Sequence, residues 1–335
     1  MLHASAVAAI LLCVATQVAG SQAIRENDQM RLEIIGLKRW TVLMIEDSLH
    51  RYAPKDSLLS HACAAVLREK LKFADAAAEY YTMNISGKQM KPYIAVTIVE
   101  PQDSALIRYR GPFRDSLPAR RAWASVRAVF EKHNHAFQGA IQRPAFLLTD
   151  APLRGPDSTL RPALPLRRFL RAHSRPKDLQ LALATLATDG NSHSRVAAVL
   201  LLANFAGTDT AWWALADALR DPSGEVRGSA AQVLTALSRG AARPVNWAPA
   251  TETLRAILDG TNLFAHNEMM EVLAATQVDP ALARPLLKDG GFIVLAKLGS
   301  QGISQRQAAR RFLVQVAGRD LGDGPAAWRE WLLGL

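Results

Sequence analysis

The sequence predicts a multidomain protein in which an α+β N-terminal domain precedes an all-α helical-repeat region, and three observations carry that reading. Residues 189 to 237 hold two helix pairs on one template, SRVAAVLLLANF around Arg195 and VRGSAAQVLTAL around Arg227. The second observation is YIAVTIVE (Tyr93 to Glu100), a β-branched and aromatic run of strand type. The third is that beyond Pro165 only apolar helix faces alternate with short Gly, Pro or Asp turns. A self-similar period of this length marks stacked helical hairpins, because one hairpin cannot bury its apolar face without neighbours.

With 335 residues and 49% hydrophobic composition, the chain has room for two modest domains of ordinary globular character. Its start departs from that average. Met1 to Ala23 contains no Asp, Glu, Lys or Arg and centres on AVAAILLCVA, too short for a comfortable membrane span. Small residues follow at peptidase spacing, which predicts an export signal over residues 1–23, cleaved before Gln22 or Ile24. An uncleaved anchor is the alternative. Export places the protein in the periplasm or outside the cell, with no transmembrane segment in the mature chain. Cys13 follows Leu12 rather than a small residue, which argues against lipidation. Cleavage leaves Cys63 as the lone cysteine, in an apolar context that suits a buried thiol.

In the N-terminal domain (24–149), Met30 to Leu49 has mostly helical apolar spacing and predicts a buried helix, with a strand at Thr41–Ile45 as the alternative. Ala53-Pro54 ends it. Asp56 or Ser57 then caps a second predicted helix running to about Leu71. Tyr93–Glu100 and Ser104–Gly111, separated by Pro101-Gln102-Asp103, predict an antiparallel hairpin, with Ala77–Ser86 as a third strand. After Pro118, Trp123, Val126, Val129 and Phe130 share one face of a predicted amphipathic helix. Asp150–Pro165 contains five prolines and glycines and is expected to be an irregular linker, so the domain boundary falls there.

The charge is uneven. Of the net +10, the stretch Arg154 to Lys177 supplies seven basic residues against one acid, Asp157. Arg167, Arg168, Arg171, Arg175 and Lys177 are therefore candidates for binding an anionic surface, lipid or cell-wall polymer, while nucleic acid is not expected outside the cytoplasm.

The best repeat unit is DPSGEVRGSAAQVLTAL, Asp221 to Leu237, preceded by AWWALADALR. An Asp-Pro turn, the Val226-Arg227 pair, Ala230 and Ala231, then Val233, Leu234 and Leu237 resemble the second-helix signature of HEAT repeats. The resemblance implies an α-solenoid over about 166–317 that acts through protein partners. Asp221 suits a cap, the alanines allow close helix approach, and the aliphatics fill the groove between layers. Leu202, Leu234, Leu273 and Phe312 mark successive copies at unequal spacing. AAWREWLLGL at the C-terminus reads as a capping helix for residues 166–335, with Trp328, Trp331 and Leu332 on one side.

Candidate chemistry is sparse. His133-Asn134-His135 diverge on a helix and imply no metal. Glu46, Asp47, His50 and His61 form the one grouping suited to acid-base work, which keeps an envelope-associated enzyme as an alternative. The chain has no G-x-S-x-G elbow, Walker loop or G-x-G-x-x-G, and implies no cofactor. Asn84-Ile85-Ser86 is a glycosylation sequon. Adjacent Trp212 and Trp213 cannot both face a core, so they join Arg195 and Arg227 as candidate partner-binding residues. The expected function is that of an exported, non-catalytic scaffold or adaptor that binds a protein partner.

Overall fold

The structure, a computed structural model, describes residues 22–335 except 27–29, 56, 60–62, 86–88, 112, most of 114–154, 241, 259–264 and 301. All but the last two residues of the predicted signal, and most of the predicted helix after Pro118, lie outside the described residues. A small mixed sheet near the N-terminus is followed by a long run of helices, and no described helix is long and apolar enough to cross a membrane.

The sheet contains β1 (Gln22–Glu26), β2 (Arg31–Ile35), β3 (Asp75–Ile85) and β4 (Gln89–Val99) in the order β1-β2-β4-β3. β2 runs parallel to β4, and the other two pairings are antiparallel. Leu32 and Ile34 of β2 join Ile94, Val96 and Ile98 of β4 in a core beneath α1 (Val42–Tyr52) and α2 (Cys63–Glu69). Glu33 and Ile35 point the other way, toward the helical region. The helix predicted from Met30 therefore starts only at Val42. Both faces of β2 are buried, so its apolar content imitates a buried helix, while Thr41 is a helix cap and the strand alternative there fails. The second helix is also shorter than predicted.

Gly36 ends β2 at φ +98°, and a Cβ there would lie 2.2 Å from the Ile98 carbonyl oxygen. Gly36→Ala is expected to cost about 3 kcal/mol or more, read as a fall in the urea midpoint. Just beyond, the backbone N–H groups of Lys38, Arg39 and Trp40 all donate to one oxygen of Glu100, at 2.6, 2.8 and 2.9 Å. This nest ties the turn after β2 to the end of β4.

The observed hairpin is β3–β4, not Tyr93–Glu100 with Ser104–Gly111. Pro101 cannot continue the ladder, and Pro101–Leu106 turns as a 3-10 helix. The segment that begins at Ile107 then leaves the sheet as an arm that reaches the helices, with Arg110 N donating to the Arg220 carbonyl at 2.7 Å.

The predicted linker is more regular than expected. Gly155–Ala163 forms a 3-10 helix whose Leu160 and Ala163 enter the helical core, and Pro165 sits in the first turn of α3 (Leu164–Ala172). The described helices that follow are α4 (Pro176–Thr188), α5 (Ser192–Leu202), α6 (Asp209–Ala218), α7 (Gly224–Gly240), α8 (Thr251–Leu258), α9 (His266–Ala275), α10 (Pro280–Gly299), α11 (Ile303–Ala317) and α12 (Pro325–Leu333). Packing joins α4 to α5, α6 to α7, α8 to α9 and α10 to α11, while α5, α7, α9 and α11 also pack in sequence. α12 lies on α10, with Trp328 buried and its indole N–H donating to the Gly322 carbonyl at 2.7 Å.

Candidate functional site

The four positions expected to mark successive copies, Leu202, Leu234, Leu273 and Phe312, are all 0% exposed. Seven residues before each stands a polar side chain: Arg195, Arg227, His266 and Gln305, themselves buried. They form a column along one side of the helices, and the N-terminal region is docked against it.

At the first step Arg195 donates from Nε and Nη2 to the two carboxylate oxygens of Asp221, both at 2.8 Å, and from Nη1 to the Asp189 carbonyl at 2.8 Å. Arg227 repeats the last contact on the next copy, donating to the Asp221 carbonyl at 2.7 Å. Asp189 and Asp221 also accept equivalent turn N–H groups, from Asn191 and Ser223, each at 2.9 Å. The arm fits between these corners. Arg110 reaches Asp217 at 2.9 Å, Asp221 at 3.1 Å and the Leu186 carbonyl at 2.8 Å. Phe113 lies under the Arg195 guanidinium at 3.9 Å and Tyr109 under that of Arg227 at 4.5 Å, both cation–π distances. The Tyr109 hydroxyl donates to Asp75 on β3.

Arg195 and Arg227, expected to face a partner, are 3% and 8% exposed and hold the chain's own arm. Trp212 is also fully buried, donating its indole N–H to the Ala206 carbonyl at 2.8 Å. Trp213 is half-buried, and its indole N–H reaches the Asn246 carbonyl at 2.8 Å. One of the pair faces the core and the other the rim, as their adjacency requires.

The column's lower half meets the sheet. The Tyr93 hydroxyl on β4 donates to Glu33 on β2 and lies 3.0 Å from Ser300 Oγ, which in turn donates to Gln305 at 2.9 Å. Burial, then the Glu33 carboxylate, pushes the Tyr93 phenol well above its ordinary range. His266 is 1% exposed, and neither ring nitrogen meets hydrogen-bond geometry with a partner among the described residues. Burial, with the nearby Lys297, lowers its pKa to about 3; the Leu258 backbone offsets only part of that.

Two concave surfaces stand out among the described residues. The first, about 660 Å³, lies between β1, α1 and the turn at Pro54–Leu59, with Leu32, Leu49 and Leu58 among its apolar walls. Glu46 and His50 line it together, but Glu46 is paired with Arg25 at 2.5 Å. Asp47 is exposed and does not line the cleft, and His61 lies outside the described residues, so of the four only Glu46 and His50 are brought together among the described residues. The second, about 720 Å³, is a groove along α7, α9 and α11. Arg239 and Arg311 bracket Glu271 at 3.6 and 3.0 Å, and Arg310 pairs with Asp320 at 2.5 Å. Gln307 is exposed on its wall. Sequence reasoning missed this groove because its walls come from three separated helices.

The basic stretch divides. Arg167 is buried, whereas Arg168 and Arg171 share the exposed side of α3, and Arg175 and Lys177 are exposed at the start of α4. No cluster of metal-binding side chains occurs among the described residues. Compared with known proteins, the chain matches no family model and no curated protein.

Proposed function

We propose that the chain is an exported, non-catalytic scaffold whose helices form a HEAT-like α-solenoid, and that it binds a protein partner in the groove along α7, α9 and α11. The observation that carries this reading is the contrast between the two ends of the inner row of helices. From Ser194 to Leu202, α5 is buried all round, with α3 and the 3-10 helix before it contributing to the same core. The groove at the other end stays open and presents guanidinium groups at its rim, with Arg239 and Arg311 side chains 73% and 56% exposed. Arginine on a concave helical surface is a frequent anchor in protein interfaces. The repeated Asp-turn-Arg corner and the polar column support the solenoid reading. The export component rests on residues 1–23 of the sequence.

A photo-crosslinking residue at Gln307 in the full chain, expressed in its own host, tests the proposal. Capture of one defined protein is expected, weakened about tenfold or more by Arg239→Ala with Arg311→Ala. Both positions are exposed, so folding stability should change by less than about 0.5 kcal/mol for each. Diffuse labelling, or capture indifferent to the two substitutions, would sink the assignment.

A further inference from the structure

The groove along α7, α9 and α11 holds its charges in two groups of opposite sign. At one end a single carboxylate serves two guanidinium groups: Glu271 on α9 stands 3.0 Å from Arg311 on α11 through Oε1 and 3.6 Å from Arg239 on α7 through Oε2. At the other end one guanidinium serves two carboxylates, Arg310 reaching Asp320 at 2.5 Å and Asp323 at 2.8 Å. The first group therefore carries a positive charge in excess and the second a negative one.

A guanidinium is a planar fork of N–H donors that fits a carboxylate through two parallel bonds. The corner at Arg195 shows that fit complete, with Nε and Nη2 each 2.8 Å from an oxygen of Asp221. In the groove the forks are largely unused. Arg311 makes one hydrogen bond, to Glu271, and Arg239 makes none among the described residues. Between them α9 contributes only Ala274 and Ala275 and α11 contributes Val314, so the floor is low and apolar. Gln307, Arg310, Arg311, Val314 and Gln315 follow the i, i+3, i+4, i+7, i+8 order of one helix face. Such a stripe runs for about 12 Å along α11, and a segment laid on it meets both charged groups. A polyanion such as a nucleic acid or an anionic membrane would be attracted by the first group and repelled by Asp320 and Asp323 at the second. A segment of mixed charge satisfies both.

We infer that the groove recognises a protein segment of mixed charge, in which an Asp or Glu side chain spans Arg239 and Arg311 and a Lys or Arg side chain meets Asp323; this rests on the groove being the partner site. The pairing of opposite poles sets the direction in which the segment lies. Glu271 holds the two guanidinium groups toward the carboxylate they receive.

Fluorescence anisotropy of labelled peptides with the full chain tests the charge pattern. The probe is a short peptide in which a run of Glu is joined to a run of Lys, compared with versions carrying Gln in place of either run. The mixed peptide should bind saturably, and loss of the Glu run should weaken it about fivefold or more. Loss of the Lys run should weaken it about twofold, the smaller effect expected of an exposed pair. Arg239→Gln with Arg311→Gln should erase the advantage of the Glu run, and Asp323→Asn that of the Lys run. Arg168→Gln with Arg171→Gln, on the remote α3, should change neither. The inference is overturned if the mixed peptide does not saturate, if the peptide without Glu binds as tightly, or if both arginine double variants weaken binding equally, which marks general attraction to a chain of net charge +10. Defined capture at Gln307 without any peptide preference would leave the groove a partner site and overturn the charge pattern alone. Peptide preference without capture would uphold the charge pattern and sink the scaffold reading.

Discussion

Asp221→Ala is expected to cost about 3–5 kcal/mol of folding stability, the range for removing one partner from a buried ion pair. Asp221 is 0% exposed and accepts from Arg195 twice, from Arg110 and from the Ser223 N–H. Removing its carboxylate strands the Arg195 guanidinium, 3% exposed, with only the Asp189 carbonyl and the Phe113 ring. Arg110 keeps Asp217 and is less affected. Urea denaturation gives the loss directly. Arg195→Met combined with Asp221→Ala should cost less than the sum of the single changes, because the double variant no longer buries an unpaired charge. A loss below about 1 kcal/mol for Asp221→Ala would mean that water reaches the corner and that the pair behaves as a surface salt bridge.

Acid should destabilise the protein through His266, with a sign fixed by its burial. The ring titrates near its ordinary 6.5 when unfolded but at about 3 in the folded protein. Between these values the unfolded chain binds a proton that the folded state refuses, so stability falls as pH drops. Above about pH 6.5 the histidine is neutral in both states and contributes no pH dependence. Each pH unit inside the window costs about 1.4 kcal/mol, giving roughly 2 kcal/mol between about pH 7.5 and 5, with a limit near 5 kcal/mol. That interval stays above the ordinary carboxylate range, so it isolates histidine. His266→Gln should flatten the slope in urea titrations across this window. An unchanged slope in His266→Gln would assign the effect to another histidine.

Leu202, Leu234, Leu273 and Phe312 were readable as core positions because each sits on the apolar face of its helix, and all four are buried. The strand-rich centre at Tyr93–Glu100 was readable for a similar reason, its β-branched run being buried on both faces as β4. The same two-sided burial hid β2, whose apolar residues fit a helical period as well as a strand. The roles of Arg195 and Arg227 were hidden differently. Their positions were visible, but whether a basic side chain faces solvent or another part of the chain depends on what packs there, and the arm at Tyr109 and Phe113 is remote in sequence. The N-terminal cleft was half legible: Glu46 and His50 lie one helical turn apart on α1, but its other walls come from β1 and the turn at Pro54.

The bonds that fasten β2 and β4 to the far end of the chain have a consequence for how the protein is made. Glu33 and Ser300 are 267 residues apart, and Thr97 and Lys297 are 200 apart. Contacts of such separation form late, because closing the intervening loop must precede their reward. A ribosome delivers the sheet long before α10 and α11, so Glu33, Tyr93 and Thr97 wait for their partners until those helices have been made. The unsealed face of the sheet is then the most aggregation-prone surface of the nascent protein, and shortening the chain before α11 recreates that state permanently.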